Sequence, residues 1–142
     1  MAVTPDQGSL VNWDSFSQAR AELGANFVRI LGYFREDGIR SVTQIEEAMR
    51  AQSATAMVIP AHTLKGEAYQ FGAEPLADLA EEIEVTARTC VERHETPSDA
   101  LEHVVRLRPL FEATLALLER EATPLVERRA AFGRRPTVTG GC

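Results

Sequence analysis

A chain of 142 residues is long enough for one domain with a substantial core and too short for two of ordinary size. Its hydrophobic fraction of 44% and charged fraction of 25% are those of a soluble globular protein, and a formal charge of −6 excludes a whole-surface attraction to nucleic acid or anionic lipid. The longest apolar stretch, Ala54 to Ala61, contains Thr55 and Pro60 and falls short of the roughly 20 residues a membrane crossing needs, and two lone cysteines, Cys90 and Cys142, make no disulfide framework and suit a reducing, cytoplasmic setting.

The elements follow in chain order. Apolar residues recur at spacings of three and four from Phe16 to Leu118, with no sustained period of two, so the chain is predicted all-α. A short first helix over about Asp14 to Leu23 presents Phe16 and Leu23 and ends at Gly24, a natural left-handed stop. A second, over about Ala25 to Ala51, carries Phe27, Leu31, Phe34, Gly38, Val42, Ile45 and Met49 along one stripe. Ser53 is placed to cap a third helix running to Phe71, with Met57, Ala61, Leu64, Ala68 and Phe71 inward and Gly72 as its stop.

Pro75 suits the first turn of a fourth helix, in which Leu76, Leu79, Ile83, Ala87 and Cys90 point inward. Thr96-Pro97-Ser98-Asp99 reads as the start of a fifth, with Leu101, Val104, Leu107, Phe111 and Leu118 inward. Four long amphipathic helices with short connections predict an antiparallel up-down four-helix bundle with a short extra N-terminal helix. Pro60 and Pro109 each remove a backbone donor inside a helix and are expected to bend it without breaking it.

Residues 1–12 are then an N-terminal extension, 13–122 the bundle and 123–142 a basic tail predicted to be mobile. Charge divides the same way. Four arginines (Arg128, Arg129, Arg134, Arg135) against one acid, Glu127, give the tail +3 and leave −9 on the preceding body.

The third helix carries the chemistry. With 57, 61, 64, 68 and 71 buried, a rotation of about 100° per residue puts His62 beside the core seam, and Lys65, Gly66 and Tyr69 on one surface stripe with it. Gly66 is out of place there, since an exposed glycine within a helix costs about 1 kcal/mol relative to alanine and offers no packing. Its missing side chain leaves room for another molecule to approach the imidazole, while Lys65 supplies a cation. If the third and fourth helices are antiparallel about Ala73, His62, eleven residues before the turn, faces Glu84, eleven after it. A carboxylate there accepts the Nδ1 proton and leaves Nε2 free to attack phosphorus. Arg88, one turn on, is a second cation. His94 and His103 have no comparable surroundings.

The run His62-Thr63-Leu64-Lys65-Gly66, with Ala61 before it, Ala68 after it, and Gly72-Ala73, Leu76 and Ile83-Glu84 beyond, resembles the signature of histidine-phosphotransfer (HPt) domains over roughly Asp14 to Leu118. The resemblance implies a phosphohistidine carrier, not an enzyme. His62 would accept a phosphoryl group on Nε2 from the aspartate of one receiver domain and pass it to a response-regulator aspartate, in a relay fed by a histidine kinase or hybrid kinase. Lys65 would neutralise the phosphoryl oxygens, Gly66 clear the approach, Glu84 orient the imidazole, and Arg88 match a further basic position. The resemblance implies no cofactor on this chain, Mg²⁺ and most catalytic groups being the receiver's; a cytoplasmic monomer without nucleic-acid or membrane partners is expected. Val58 and Ile59 offer an apolar docking patch one turn before His62, with the first helix as a second rim. Pro60 and Glu67 depart from the family's pattern, Glu67 by placing a negative charge beside Lys65.

Two other readings compete: a non-catalytic helical scaffold in which His62 is incidental, and the phosphotransfer segment of a larger histidine kinase. A di-iron bundle enzyme needs inward Glu-x-x-His pairs. The residues three before His62, His94 and His103 are instead Ile59, Val91 and Ala100. No phosphate-cradling glycine loop of an independent kinase is present either.

Overall fold

The computed structural model describes residues 10–122. Five α-helices occur within them: α1 (Trp13–Leu23), α2 (Phe27–Arg50), α3 (Ala54–Gln70), α4 (Glu74–Glu92) and α5 (Leu101–Ala122), with 3-10 turns at Gly24–Asn26 and Pro97–Ala100. α2 to α5 close a ring in which each packs against its two neighbours, the α3–α4 seam being the most extensive, and α1 lies on α2 and α3. No strand occurs among the described residues, so the chain is the all-α up-down four-helix bundle with an additional N-terminal helix. The predicted mobile tail, 123–142, lies outside the described residues.

The inward stripes form the core. Phe27, Leu31, Phe34, Gly38, Val42, Ile45 and Met49 of α2 are buried, with Met57, Ala61, Leu64 and Ala68 of α3, Phe71 just past it, and Leu76, Leu79, Ile83, Ala87 and Cys90 of α4. A chain of ring contacts runs from Trp13 through Phe16, Phe27, Phe71 and Phe34 to Phe111, with centroids 5.1–5.8 Å apart, and stitches α1, α2, α5 and the α3–α4 turn together. Such edge-on and tilted pairs add about 0.5–1.5 kcal/mol each beyond the area they bury. On the α2–α5 seam the Arg108 guanidinium grips both oxygens of Glu46, at 3.0 and 2.9 Å.

Local chemistry sets the ends of the elements. Ser53 accepts a hydrogen bond from the Ala56 amide at 3.1 Å, the cap expected of it. Asn12 does the same for α1, accepting from the amides of Asp14 and Ser15. Its own amide donates to the Gly72 carbonyl at 2.7 Å, and Val11 beside it is buried, so contacts with the bundle begin ahead of α1. Gly72 turns with φ 77°, and a Cβ there would lie 2.6 Å from the Asn12 carbonyl oxygen; glycine is required on both counts.

Two predicted boundaries differ. α2 starts at Phe27, not Ala25, because the chain first makes the 3-10 turn after Gly24. Thr96 precedes a 3-10 turn, not an α-helix, and its hydroxyl meets that of Ser98 at 2.9 Å without capping an amide. The tighter turn shifts the helical phase. Pro97 and Ala100 enter the buried stripe ahead of Val104, Leu107 and Phe111, and Leu101, expected inward, is 50% exposed. α3 and α5 run unbroken through Pro60 and Pro109.

Gly38 has a steric reason to be glycine: an added Cβ would overlap the Phe111 ring. Alanine recovers up to about 1 kcal/mol of helix propensity but overpacks the α2–α5 seam by about 1–3 kcal/mol. Gly38→Ala is therefore expected to lower the urea midpoint at unchanged m-value, and an equal or higher midpoint would show that the ring has room to yield.

Candidate functional site

The α3–α4 hairpin builds the site. After α3 the Ala73 amide reaches back to the Ala68 carbonyl at 3.0 Å and the Gly72 amide to that of Tyr69, closing a tight left-handed turn. The two helices leave that turn side by side, so residues equidistant from Ala73 meet. His62 Nδ1 lies 3.0 Å from Glu84 Oε2. Arg88, one turn along α4, donates to the same oxygen from Nε at 3.0 Å and Nη2 at 2.8 Å. Lys65 Nζ stands 2.9 Å from Oε1, an ion pair without the alignment of a full hydrogen bond.

Burial divides the group into an inner anchor and an outer nucleophile. The Glu84 side chain is 6% exposed and the imidazole 57%. Burial is the largest single influence on the Glu84 carboxyl and pushes its pKa up, but the contacts of Lys65, Arg88 and His62 together outweigh it and hold it at about 2. Glu84 is thus ionised at neutral pH and can only accept. Nδ1 therefore carries a hydrogen, and in the neutral ring the lone pair is on Nε2.

The rest of the stripe crosses the same seam. The Tyr69 hydroxyl donates to Asp78 Oδ1 at 3.0 Å, and that bond raises the phenol's pKa. Asp78 was not among the expected residues, although reflection about Ala73 puts position 77, its neighbour, opposite Tyr69. Gly66 is exposed, and a Cβ built on it meets nothing within 4 Å. Ile59 is 66% exposed and Val58 half-buried; with Thr55, Arg88, Val91 and Glu92 they line a shallow depression beside the site. The segment leading into α1 is tied to the Gly72 turn, at the far end of α3 from this patch.

Glu67 is not beside Lys65. Two residues along an α-helix are about 200° apart, and Glu67 projects toward Asp37 of α2. Burial, then the charge of Asp37, raises its pKa to about 7 against the weaker pull of Arg40. His103 sits 3.4 Å from Glu82, and His94 occupies the left-handed residue beyond α4 with φ 56°. Cys90, Glu95 and Asp99 bring ligand-type atoms within 4.8 Å of one another. Burial and the two carboxylates raise the Cys90 pKa, which keeps the thiol protonated as a packing group.

The fold and this arrangement are those of a helical bundle with an exposed histidine held from beneath by a buried carboxylate. A family model described as the Hpt domain matches residues 29–121, from early in α2 to the end of α5. The chain belongs to the Hpt-domain family, and thus to phosphotransfer in two-component signalling, where such domains carry phosphohistidine and are not catalysts. No curated protein and no solved structure matches the chain. Among the described residues no helix is long and apolar enough to cross a membrane.

Two of the perturbed carboxylates, Glu84 and Glu67, act on stability with opposite signs. Glu84, lowered from 4.5 to about 2, contributes stability that is complete above pH 4.5 and lost as pH falls toward 2. Glu67, raised from 4.5 to about 7, contributes stability that is complete below pH 4.5 and lost as pH rises through 7. Thermal melts should show Glu84→Gln less stable than wild type at pH 7, with the gap closing toward pH 2. Glu67→Gln should match wild type near pH 4 and exceed it at pH 8. Gaps independent of pH would refute these assignments.

Proposed function

We propose that His62 accepts a phosphoryl group on Nε2 from the aspartate of a receiver domain and hands it to the aspartate of a response regulator. The observation that supports this reading is the exposed imidazole held through Nδ1 by the ionised, buried Glu84. In the transfer the Nε2 lone pair forms a bond to phosphorus while the P–O bond of the acyl phosphate breaks, its electrons returning to the aspartate carboxylate. The bundle supplies a nucleophile oriented in advance, and the receiver supplies Mg²⁺ and the groups that stabilise the moving phosphoryl.

Each neighbour has a task in this reading. Lys65 turns its ammonium from Glu84 toward the phosphoryl oxygens, a short swing for a flexible side chain, and Arg88 adds positive charge at the same edge. Gly66 leaves the approach to Nε2 open. A histidine kinase or hybrid kinase feeds the relay through a receiver, and the chain acts as a cytoplasmic monomer.

The test is to incubate the protein with a phosphorylated receiver and follow acid-labile, base-stable phosphate. Label is expected on wild type and absent from His62→Gln; label persisting in the variant would sink the assignment. Substitutions at Gly66 separate folding from approach. Gly66→Ala is expected to stabilise the fold by up to about 1 kcal/mol. Gly66→Gln should keep the fold and slow transfer from the receiver at least tenfold, and unchanged transfer would remove the steric role of this glycine.

A further inference from the structure

We infer that Glu84 keeps Nδ1 of His62 protonated after the phosphoryl group has arrived, so that the chain holds phosphohistidine in its labile phosphoimidazolium form and serves as a point of transit, not a store. The inference rests on the carrier reading and concerns what happens to one proton.

When Nε2 gives its lone pair to phosphorus the ring becomes a cation with its hydrogen on Nδ1. An imidazolium in water ordinarily loses that proton at about pH 6.5. Deprotonated phosphohistidine transfers poorly, because the ring would leave as an imidazolide anion; protonated, it leaves as neutral imidazole. Which form is present at neutral pH depends on the partner of Nδ1.

That partner is a buried carboxylate 3.0 Å away, and it is braced to stay ionised. Lys65 from α3 contacts one oxygen; Arg88 from α4 makes two hydrogen bonds to the other. The titratable groups nearby face elsewhere. His103 of α5 is turned to Glu82, and Glu67 lies against Asp37 of α2. If the new phosphoryl group draws Lys65 away, Arg88 still neutralises Glu84, and the ring cation takes the place of the lysine beside it. A carboxylate thus favours the protonated ring, whereas an amide, with a donor of its own, accommodates the deprotonated ring equally well. The proton remains on Nδ1 in both directions: Nε2–P forms as the acyl P–O bond breaks, then breaks as the next one forms, with no proton exchanged with solvent.

The experiment uses the full chain phosphorylated with phosphoramidate, which needs no receiver, and follows both loss of label and the ¹⁵N shift of Nδ1 against pH. The wild-type loss rate is expected to stay on its fast plateau at least about one pH unit further than that of Glu84→Gln, roughly tenfold faster at pH 8. Phosphorylated wild type unfolded in urea gives a reference that needs no variant to fold, and its Nδ1 should titrate at least about one unit lower than in the native protein. Coincident native and unfolded titrations, or coincident rate profiles for wild type and Glu84→Gln, would overturn the inference and leave the carrier reading standing. Absence of label on His62 from both phosphoramidate and receivers would overturn both.

Discussion

An ionised carboxylate buried under a surface histidine is the constraint on which the rest of the molecule depends. An uncompensated charge at 6% exposure costs several kcal/mol, and Glu84 is tolerable only because two hydrogen-bonding side chains and the Lys65 ammonium, from two helices, converge on it. That convergence requires α3 and α4 to hold one register. A slip of one residue rotates a side chain by about 100° and would take Glu84 away from all of its partners on α3. The register comes from the turn, where Gly72 adopts a conformation closed to other residues and Asn12 bonds its carbonyl. Further out, the ring contacts that end at Phe111 hold the same turn against α2 and α5.

Rigidity beneath and openness above follow from this division. The imidazole is held through Nδ1, and the space over Gly66 is open. Orientation of the ring is thus established by the fold itself.

Much of this was legible in the sequence, for reasons that also explain where legibility stopped. Glu84 could be placed opposite His62 because a tight turn between two regular helices makes reflection about Ala73 a good guide; Asp78 beside Tyr69 obeys the same rule within one residue. The partners of Lys65 and Arg88 could not be read that way, because long flexible side chains reach whichever charge is nearest in space. Thr96-Pro97-Ser98-Asp99 carries residues equally at home in the first turn of an α-helix or in a 3-10 turn, so only the structure shows the phase shift that exposes Leu101. Glu67 follows Lys65 by two residues, yet the helix turns it about 200° away toward Asp37, so nearness along the chain is not nearness in space. The burial of Val11 had no periodic signal, standing just ahead of the first helix.

The hydrogen-bond and ion-pair partners of Glu84, His62, Lys65 and Arg88, all belong to one helical hairpin, α3 with α4, while α2 and α5 complete the ring. The outward surfaces of those two helices therefore take no part in holding the buried charge. Substitutions there leave both the compensation of Glu84 and the α3–α4 register untouched, so the hairpin and the outer faces of α2 and α5 are separable parts of a single small domain.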